Sequence, residues 1–329
     1  MKAIAQDGYG PPQVLELRDV DVPTVGDTDV LVRVRAAGVD PGVWHLTTGL
    51  PYPVRLGYGL RRPRHRIPGM DLAGVVEAVG RDVTRFALGD EVFGTGTGSY
   101  AEYALAPEGK LAPKPAALTF EEAAAVPVSG QTALTAVRDA AKVRPGQRVL
   151  VIGAGGGVGC FAVQLAAAAG AHVTGVCGPT KLDLVRSIGA DEVVDHTREE
   201  ITDRGIRYDV IVDTAGNRPL SSLRRALTRK GTLVLVGGEA ATGRWLQGFD
   251  RQLRALLLSP LVGQRLVPLV ARESSENLAA LAALVDAGRL RPVLDRTWPL
   301  ADAAAALLHV WGGHARGKNV LAVAGPTGR

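Results

Sequence analysis

Between residues 30 and 36 the chain reads VLVRVRA, with apolar and polar side chains in strict alternation. A period of two predicts a half-buried strand. Over residues 1–110 short runs of this kind (LEL, DVLVRVRAAGVD, GVVEAVG, DEVFG and SYAEYAL) are separated by Gly/Pro turns. The region is expected to be mostly β, with a barrel-like rhythm. The rhythm changes near residue 120. LTFEEAAAVPVSGQTALTAVRDAA predicts helix, turn and helix, with Thr119 and Glu122 at capping-box spacing. Then come strands that are almost continuous Val, Ile and Leu, alternating with helices. RVLVIG (148–153) leads into VGCFAVQLAAAAG, and HVTGVC (172–177) into TKLDLVRSIG and the strand EVVDH. YDVIVDTAG (208–216) leads into PLSSLRRALTRKG and TLVLVGG (232–238). Strands apolar on both faces belong in a parallel sheet covered by helices on each side.

Residues 239–262 lose this period and are expected to form a loop and helix over the sheet. RLVPLVA is a candidate sixth strand, and SENLAALAALVDAG (275–288) a capped helix ending at Gly288. The tail returns to strand, helix and strand. The pattern predicts an α/β chain in which a β-rich domain, residues 1–121 and 276–329, is interrupted by a doubly wound parallel-sheet domain over 122–275.

Composition narrows the class. The 329 residues are 46% hydrophobic and 22% charged, as in ordinary globular proteins, and leave room for two domains. The net charge of +5 mildly favours anionic ligands. With no Lys/Arg arm, a nucleic-acid partner is not expected. The longest apolar run, 253–270, contains two Pro, two Arg and a Gln and is too interrupted to cross a bilayer. No membrane partner is expected. The two cysteines, Cys160 and Cys177, lie in apolar segments. They are too few for a four-cysteine zinc site and read as buried hydrophobes in a reduced, cytoplasmic protein. The N-terminus has no signal-peptide core.

The sharpest chemical signal is VLVIGAGGGVG, a strand feeding a glycine loop that opens a helix. Gly153, Gly156 and Gly159 recur every third residue. The spacing departs from plain G-x-G-x-x-G, since Val158 takes its last position. The physics is unchanged: glycines let the backbone turn sharply and approach a pyrophosphate at a helix N-terminus. The end of the next strand bears on cofactor choice. NAD enzymes usually place an acid there for the ribose hydroxyls; this chain has Cys177 and Gly178, followed by Thr180 and Lys181. A hydroxyl and a cation suit a 2′-phosphate, so NADPH is expected. An N-capping Thr180 and a solvated Lys181 are the plain alternative.

The chain resembles the medium-chain dehydrogenase/reductase superfamily, and most closely its zinc-independent quinone oxidoreductase-like branch. The stretches that carry the resemblance are GVDPGVWHLTTG (38–49), PGMDLAGVVEAVG, GDEVFG (89–94), SYAEYA (99–104), AAAVPVSGQTAL (123–134), the glycine loop, RSIGADEVVDHT (186–197) and PLADAAAALLHVWGGHARGKNVL (299–321). The resemblance implies a GroES-like β-rich catalytic domain plus a Rossmann domain. Zinc-dependent relatives have Gly-His-Glu where this chain has Gly69-Met70-Asp71, and a cysteine near Asp40. No metal is therefore expected. The implied activity is NADPH-dependent hydride transfer to a quinone or α,β-unsaturated carbonyl, by a homodimer joined through the edge of the Rossmann sheet. A pathway-specific enoyl reductase of secondary metabolism and a low-turnover NADPH-binding regulatory or RNA-binding protein are the alternatives.

Cofactor contacts implied by the resemblance fall on Thr132, Gly156, Gly157, Val158, Thr180, Lys181 and His196, and on Lys318 and Asn319 near the C-terminus. Thr214, Ala215 and Gly216 end the fourth parallel strand and Gly237 and Gly238 the fifth, on the side where nucleotides bind. Asp40 is a candidate to orient substrate or, with a raised pKa, to donate a proton. Tyr52 and Tyr58 are candidates to hydrogen-bond a substrate carbonyl. His45 and Asp71 read as structural. The basic stretch 55–66 reads as a solvated loop or as an attractor of phosphate-bearing substrates.

Overall fold

The structure, a computed structural model, describes residues 1–237, 245 and 249–323. The chain forms two compact units, Met1–Gln131 with Glu273–Arg329, and Thr132–Arg272. The first boundary lies beyond the 121/122 break suggested by the change of rhythm. The helix Phe120–Ala124 packs on strands Asp29–Val39 and Asp71–Val79, so it belongs to the β-rich unit. The second boundary precedes the helix Ser275–Asp286, which belongs to that unit as well.

The β-rich unit holds a seven-stranded sheet in the order Leu294–Pro299, Lys318–Ala322, Asp29–Val39, Asp71–Val79, Glu91–Thr95 and Leu111–Pro113, with Tyr103–Pro107 also paired to Asp29–Val39. The alternation in VLVRVRA has its physical counterpart: Val30, Val32, Val34 and Ala36 are fully buried, whereas Arg33 and Arg35 reach partly into solvent. Thr119 and Glu122 form the expected capping box. The C-terminal strand runs antiparallel to Asp29–Val39 with Asn319 opposite Val39. That register brings Lys318 level with Asp40, where the strand passes into the helix Pro41–Thr48.

The second unit is a six-stranded sheet whose neighbouring strands are all parallel. Taken in chain order its strands are His172–Cys177 and Glu192–Asp195 on one side of Arg148–Ile152, and Tyr208–Asp213, Leu227–Leu235 and Arg265–Pro268 on the other. This is the 3-2-1-4-5-6 order, with its switch point beside the first strand. RLVPLVA does supply the sixth strand. One element differs: the helix expected over 219–231 stops at Ala226, and the strand begins at Leu227. Leu227 is buried and pairs with Tyr208, so tertiary pairing overrides the helical pattern there.

Candidate active site

In the β-rich unit, four side chains from distant parts of the sequence meet inside the protein. The Lys318 ammonium donates to Asp40 Oδ1 at 2.6 Å, to Asp71 Oδ2 at 3.2 Å and to Ser129 Oγ at 3.2 Å. Ser129 Oγ donates to the same Asp40 oxygen at 2.9 Å, and Asp71 Oδ1 accepts the Val128 N–H at 2.7 Å. Local sequence explains each placement. Asp40 is the N-cap residue of Pro41–Thr48, yet its carboxylate makes no capping bond and turns inward. Gly38 leaves the room that Asp71 needs: a Cβ there would lie 2.5 Å from Asp71 Oδ2.

Lys318 is 2% exposed, so these charges depend on one another. Burial alone would raise the pKa of Asp40. The Lys318 ammonium and the bonds from Asp71, Lys318 and Ser129 outweigh it and hold Asp40 low. Burial and then the Asp40 charge push Asp71 well above the carboxylate range. Burial opposes the Lys318 charge, but the two aspartates keep its pKa raised. The directions of these shifts favour the charge on Asp40, paired with the Lys318 ammonium, and the proton of the acid pair on Asp71. Tyr100, fully buried with its hydroxyl 3.4 Å from the Gly38 carbonyl, is held protonated by burial and then by the two aspartates.

For Asp40 the shift is downward, opposite to the raised pKa on which a proton-donor role would rest. Lys318 and Asn319, implied as cofactor contacts, are both buried. Both side chains bond within the β-rich unit, Lys318 to Asp40, Asp71 and Ser129. Asn319 is fully buried, accepts from Trp298 Nε1 at 2.8 Å and donates to Asp295 at 3.1 Å. Tyr52 lies under the Arg55 guanidinium, and Tyr58 ends the short helix Val54–Tyr58 with its ring half in solvent. Ser129 and Tyr100 were missed by sequence reasoning; both lie in stretches that carry the family resemblance.

In the parallel-sheet unit the glycine loop is built for close approach. Gly153 has φ +81°, and a Cβ there would lie 2.4 Å from Thr214 Oγ1. A Cβ on Gly159 would lie 2.1 Å from the Gly153 carbonyl, so helix Gly157–Ala168 packs this tightly on the loop only with glycine there. Gly156 is the N-cap of this helix, and the following N–H groups, Gly157 and Val158 among them, are its first-turn donors. Lys181 lays its methylenes over Gly155, where a Cβ would lie within 2.8 Å of them. Thr180 caps neither neighbouring helix; the N-cap residues are Gly178 and Lys181. His196 follows the strand beside Cys177 and donates its backbone N–H to the Cys177 carbonyl at 3.2 Å. Thr180, Lys181 and His196 therefore gather at the C-terminal ends of two adjacent strands.

Beyond the switch point, buried Asp213 accepts from the backbone N–H groups of Ala215 at 3.2 Å and Gly216 at 3.1 Å, and pairs with Arg251. This fixes the Thr214–Gly216 turn, and Thr214 Oγ1 donates to the Ile152 carbonyl at 2.8 Å. The Gly237 N–H faces the Asp213 carbonyl at 3.5 Å. Thr132 sits half-buried in the helix Pro127–Leu134. Gly238 lies outside the described residues.

Comparison with known proteins bears on this arrangement. Residues 26–116 match the alcohol dehydrogenase GroES-like domain, and residues 188–321 the zinc-binding dehydrogenase family. Human quinone oxidoreductase is 34% identical over 98% of this chain and 97% of its own. The chain belongs to the medium-chain dehydrogenase/reductase superfamily, in its quinone oxidoreductase-like branch. Among solved members, a mycobacterial protein complexed with NADPH superposes with a TM-score of 0.83 at 26% identity, covering 98% of this chain and all of that one. An NAD-dependent alcohol dehydrogenase superposes with a TM-score of 0.82 at 31% identity, over the same shares of the two chains. Membership makes the chain an oxidoreductase with a nicotinamide cofactor; the choice between cofactors rests on its own residues.

Proposed function

We propose that this chain is a zinc-independent, NADPH-dependent reductase of quinones or α,β-unsaturated carbonyls. The observation that carries the reading is the end of strand His172–Cys177. Cys177 and Gly178 stand where a ribose-binding acid would be, and Thr180, Lys181 and His196 gather beside them. A cation, a hydroxyl and an imidazole, with no acid on the end of strand His172–Cys177 itself, suit a phosphate better than a ribose diol; Asp195, opposite Cys177 on the next strand, is engaged by the Thr197 N–H and hydroxyl. The glycine loop fits the rest of the cofactor: its backbone leaves space that side chains would fill, at a helix N-terminus suited to a pyrophosphate. When bound, NADPH supplies a hydride. Lys181 and Thr180 would hold its 2′-phosphate and the first turn of Gly157–Ala168 its pyrophosphate, while the Asp213-anchored turn keeps Thr214–Gly216 in place.

The family's zinc does not fit here. The two zinc-ligand positions that the resemblance identifies hold Asp40 and Met70, a hard carboxylate and a thioether in place of a cysteine and a histidine, and Asp40 already bonds the Lys318 ammonium. No step is routed through a metal. A conjugated acceptor needs none, because the charge formed on hydride addition spreads over the acceptor itself. Tyr52 and Tyr58 are the proposed hydroxyls for the acceptor carbonyl, and Asp40 stays ionised as part of the internal cluster. A homodimer is proposed through the open edge strand Arg265–Pro268, flanked by exposed Leu261 and Val270.

The test is NADPH oxidation by chelator-treated protein with a small quinone and a small enone. Turnover with either, unchanged by added zinc, is expected. Tight NADPH binding without turnover across a broad acceptor panel would refute the activity, and a strict zinc requirement the metal reading.

A further inference from the structure

Apart from Tyr58, the basic loop after the first helix has no part in the reading above. No Asp or Glu occurs between residues 41 and 70, while residues 55–66 contain five Arg and one His. The structure makes this stretch an ordered projection. The Arg55 guanidinium lies 4.5 Å from the centre of the Tyr9 ring and 4.9 Å from that of Tyr52, and donates to the Gly49 carbonyl at 2.9 Å. Tyr9 Oη donates to the Gly59 carbonyl at 2.7 Å, and the Arg64 N–H closes onto the Tyr58 carbonyl at 2.8 Å. Gly59 has φ +117°, and a Cβ there would strike the Arg62 carbonyl, so only glycine closes this turn without strain.

What the loop presents is unusual. Leu56 is 73% exposed and Leu60 67%, beside exposed Arg61, Arg62, Arg64 and His65. Arg66 pairs with Asp7, which also binds Arg18; the other three arginines make no ion pair among the described residues. Aliphatic tips among unpaired cations are complementary to a surface with an apolar interior and an anionic face. A protein partner fits less well, because a specific interface uses ~20–30 residues a side, and the projection from Leu56 to His65 has ten.

We propose that the loop 56–65 docks this protein reversibly on an anionic lipid surface, with Leu56 and Leu60 entering the interface and Arg61, Arg62 and Arg64 against lipid phosphates. This departs from the expectation of no membrane partner. It involves no spanning segment, and no helix among the described residues is long and apolar enough to cross a membrane. It is independent of the substrate reading.

The test is sedimentation of the full chain with vesicles of phosphatidylcholine alone and of phosphatidylcholine with phosphatidylglycerol. Binding to the anionic vesicles only is expected, falling steeply as salt shortens the screening length. Each arginine near the surface should be worth about fivefold in partitioning, so Arg61→Ala/Arg62→Ala should lose about 25-fold. Leu56→Ser/Leu60→Ser should weaken binding too, while Leu256→Ser/Leu257→Ser, on the exposed face of a helix in the other unit, should leave it unchanged. Circular dichroism would verify that each variant folds. Absence of anionic-vesicle binding at low salt would overturn the proposal. So would binding indifferent to the loop substitutions, or dependence on the arginines alone with equal capture by soluble polyglutamate, which would indicate an acidic polypeptide instead.

Discussion

Lys318→Met tests the internal charge cluster most directly. In the native protein the Lys318 ammonium lies 2.6 Å from an Asp40 oxygen, and both groups are buried. At an effective dielectric constant of ~20 the attraction across that distance is ~6 kcal/mol, offset by a desolvation cost of several kcal/mol for each ion. The native pair therefore contributes little net stability. Its rupture is expensive, because Asp40 stays buried without its counter-charge. Breaking such a pair costs ~3–5 kcal/mol, about two to four powers of ten in the folding constant. The assay is urea unfolding followed by tryptophan fluorescence. Trp44, Trp298 and Trp311, three of the four tryptophans, belong to the β-rich unit, so the signal reports mainly on it. The midpoint should fall at pH 7 with unchanged slope. The loss should shrink toward pH 5 as a proton neutralises Asp40, and the double variant Lys318→Met/Asp40→Asn should recover most of it. A loss below ~1 kcal/mol, or additivity in the double variant, would refute the coupled cluster.

Three further outcomes are expected. Asp71 keeps its proton in the folded state at pH values where the unfolded chain has lost it. Stability should therefore fall as pH rises above ~4 toward the folded pKa, by up to ~1.4 kcal/mol per unit; Asp71→Asn should flatten that slope, and a persisting slope would assign the proton elsewhere. Lys181→Ala should raise the KM for NADPH at least tenfold and that for NADH little; equal effects would remove the phosphate role. Burial pushes the Cys160 thiol to about 12 and the Cys177 thiol to about 11. A thiol reagent at pH 8 should therefore label both only after denaturation, and rapid labelling of the native protein would contradict the packing.

Sequence pattern predicted the architecture because the information is local. Near-continuous Val/Ile strands, the Thr119–Glu122 box and the glycine loop each act within a few residues, and each formed. The glycine at 159 was legible because its contact, the Gly153 carbonyl, lies six positions away. The charge cluster was not legible. Asp40, Asp71, Ser129 and Lys318 are brought together by strand register and by the space at Gly38, neither of which leaves a local period. Asp40 stands before a proline as the N-cap of the helix Pro41–Thr48, and only the fold turns its carboxylate inward. The Arg251–Asp213 pair was hidden for the same reason, since 38 positions separate the partners and the arginine lies in an irregular stretch.

The bond between Lys318 and Asp40 spans 278 positions, and this has a consequence for biogenesis. On the ribosome the two buried acids are made well before their counter-ion, which follows Asp40 by 278 positions and Asp71 by 247. The parallel-sheet unit, residues 132–272, is complete in translation order before that lysine exists. It can mature while the β-rich unit waits, its acids hydrated and its central sheet missing the strand Lys318–Ala322. Closure of the first-made unit is thus timed by the last-made strand. A nascent chain stalled before residue 318 would expose a sheet lacking the strand that joins Leu294–Pro299 to Asp29–Val39, a natural signal for quality control to read.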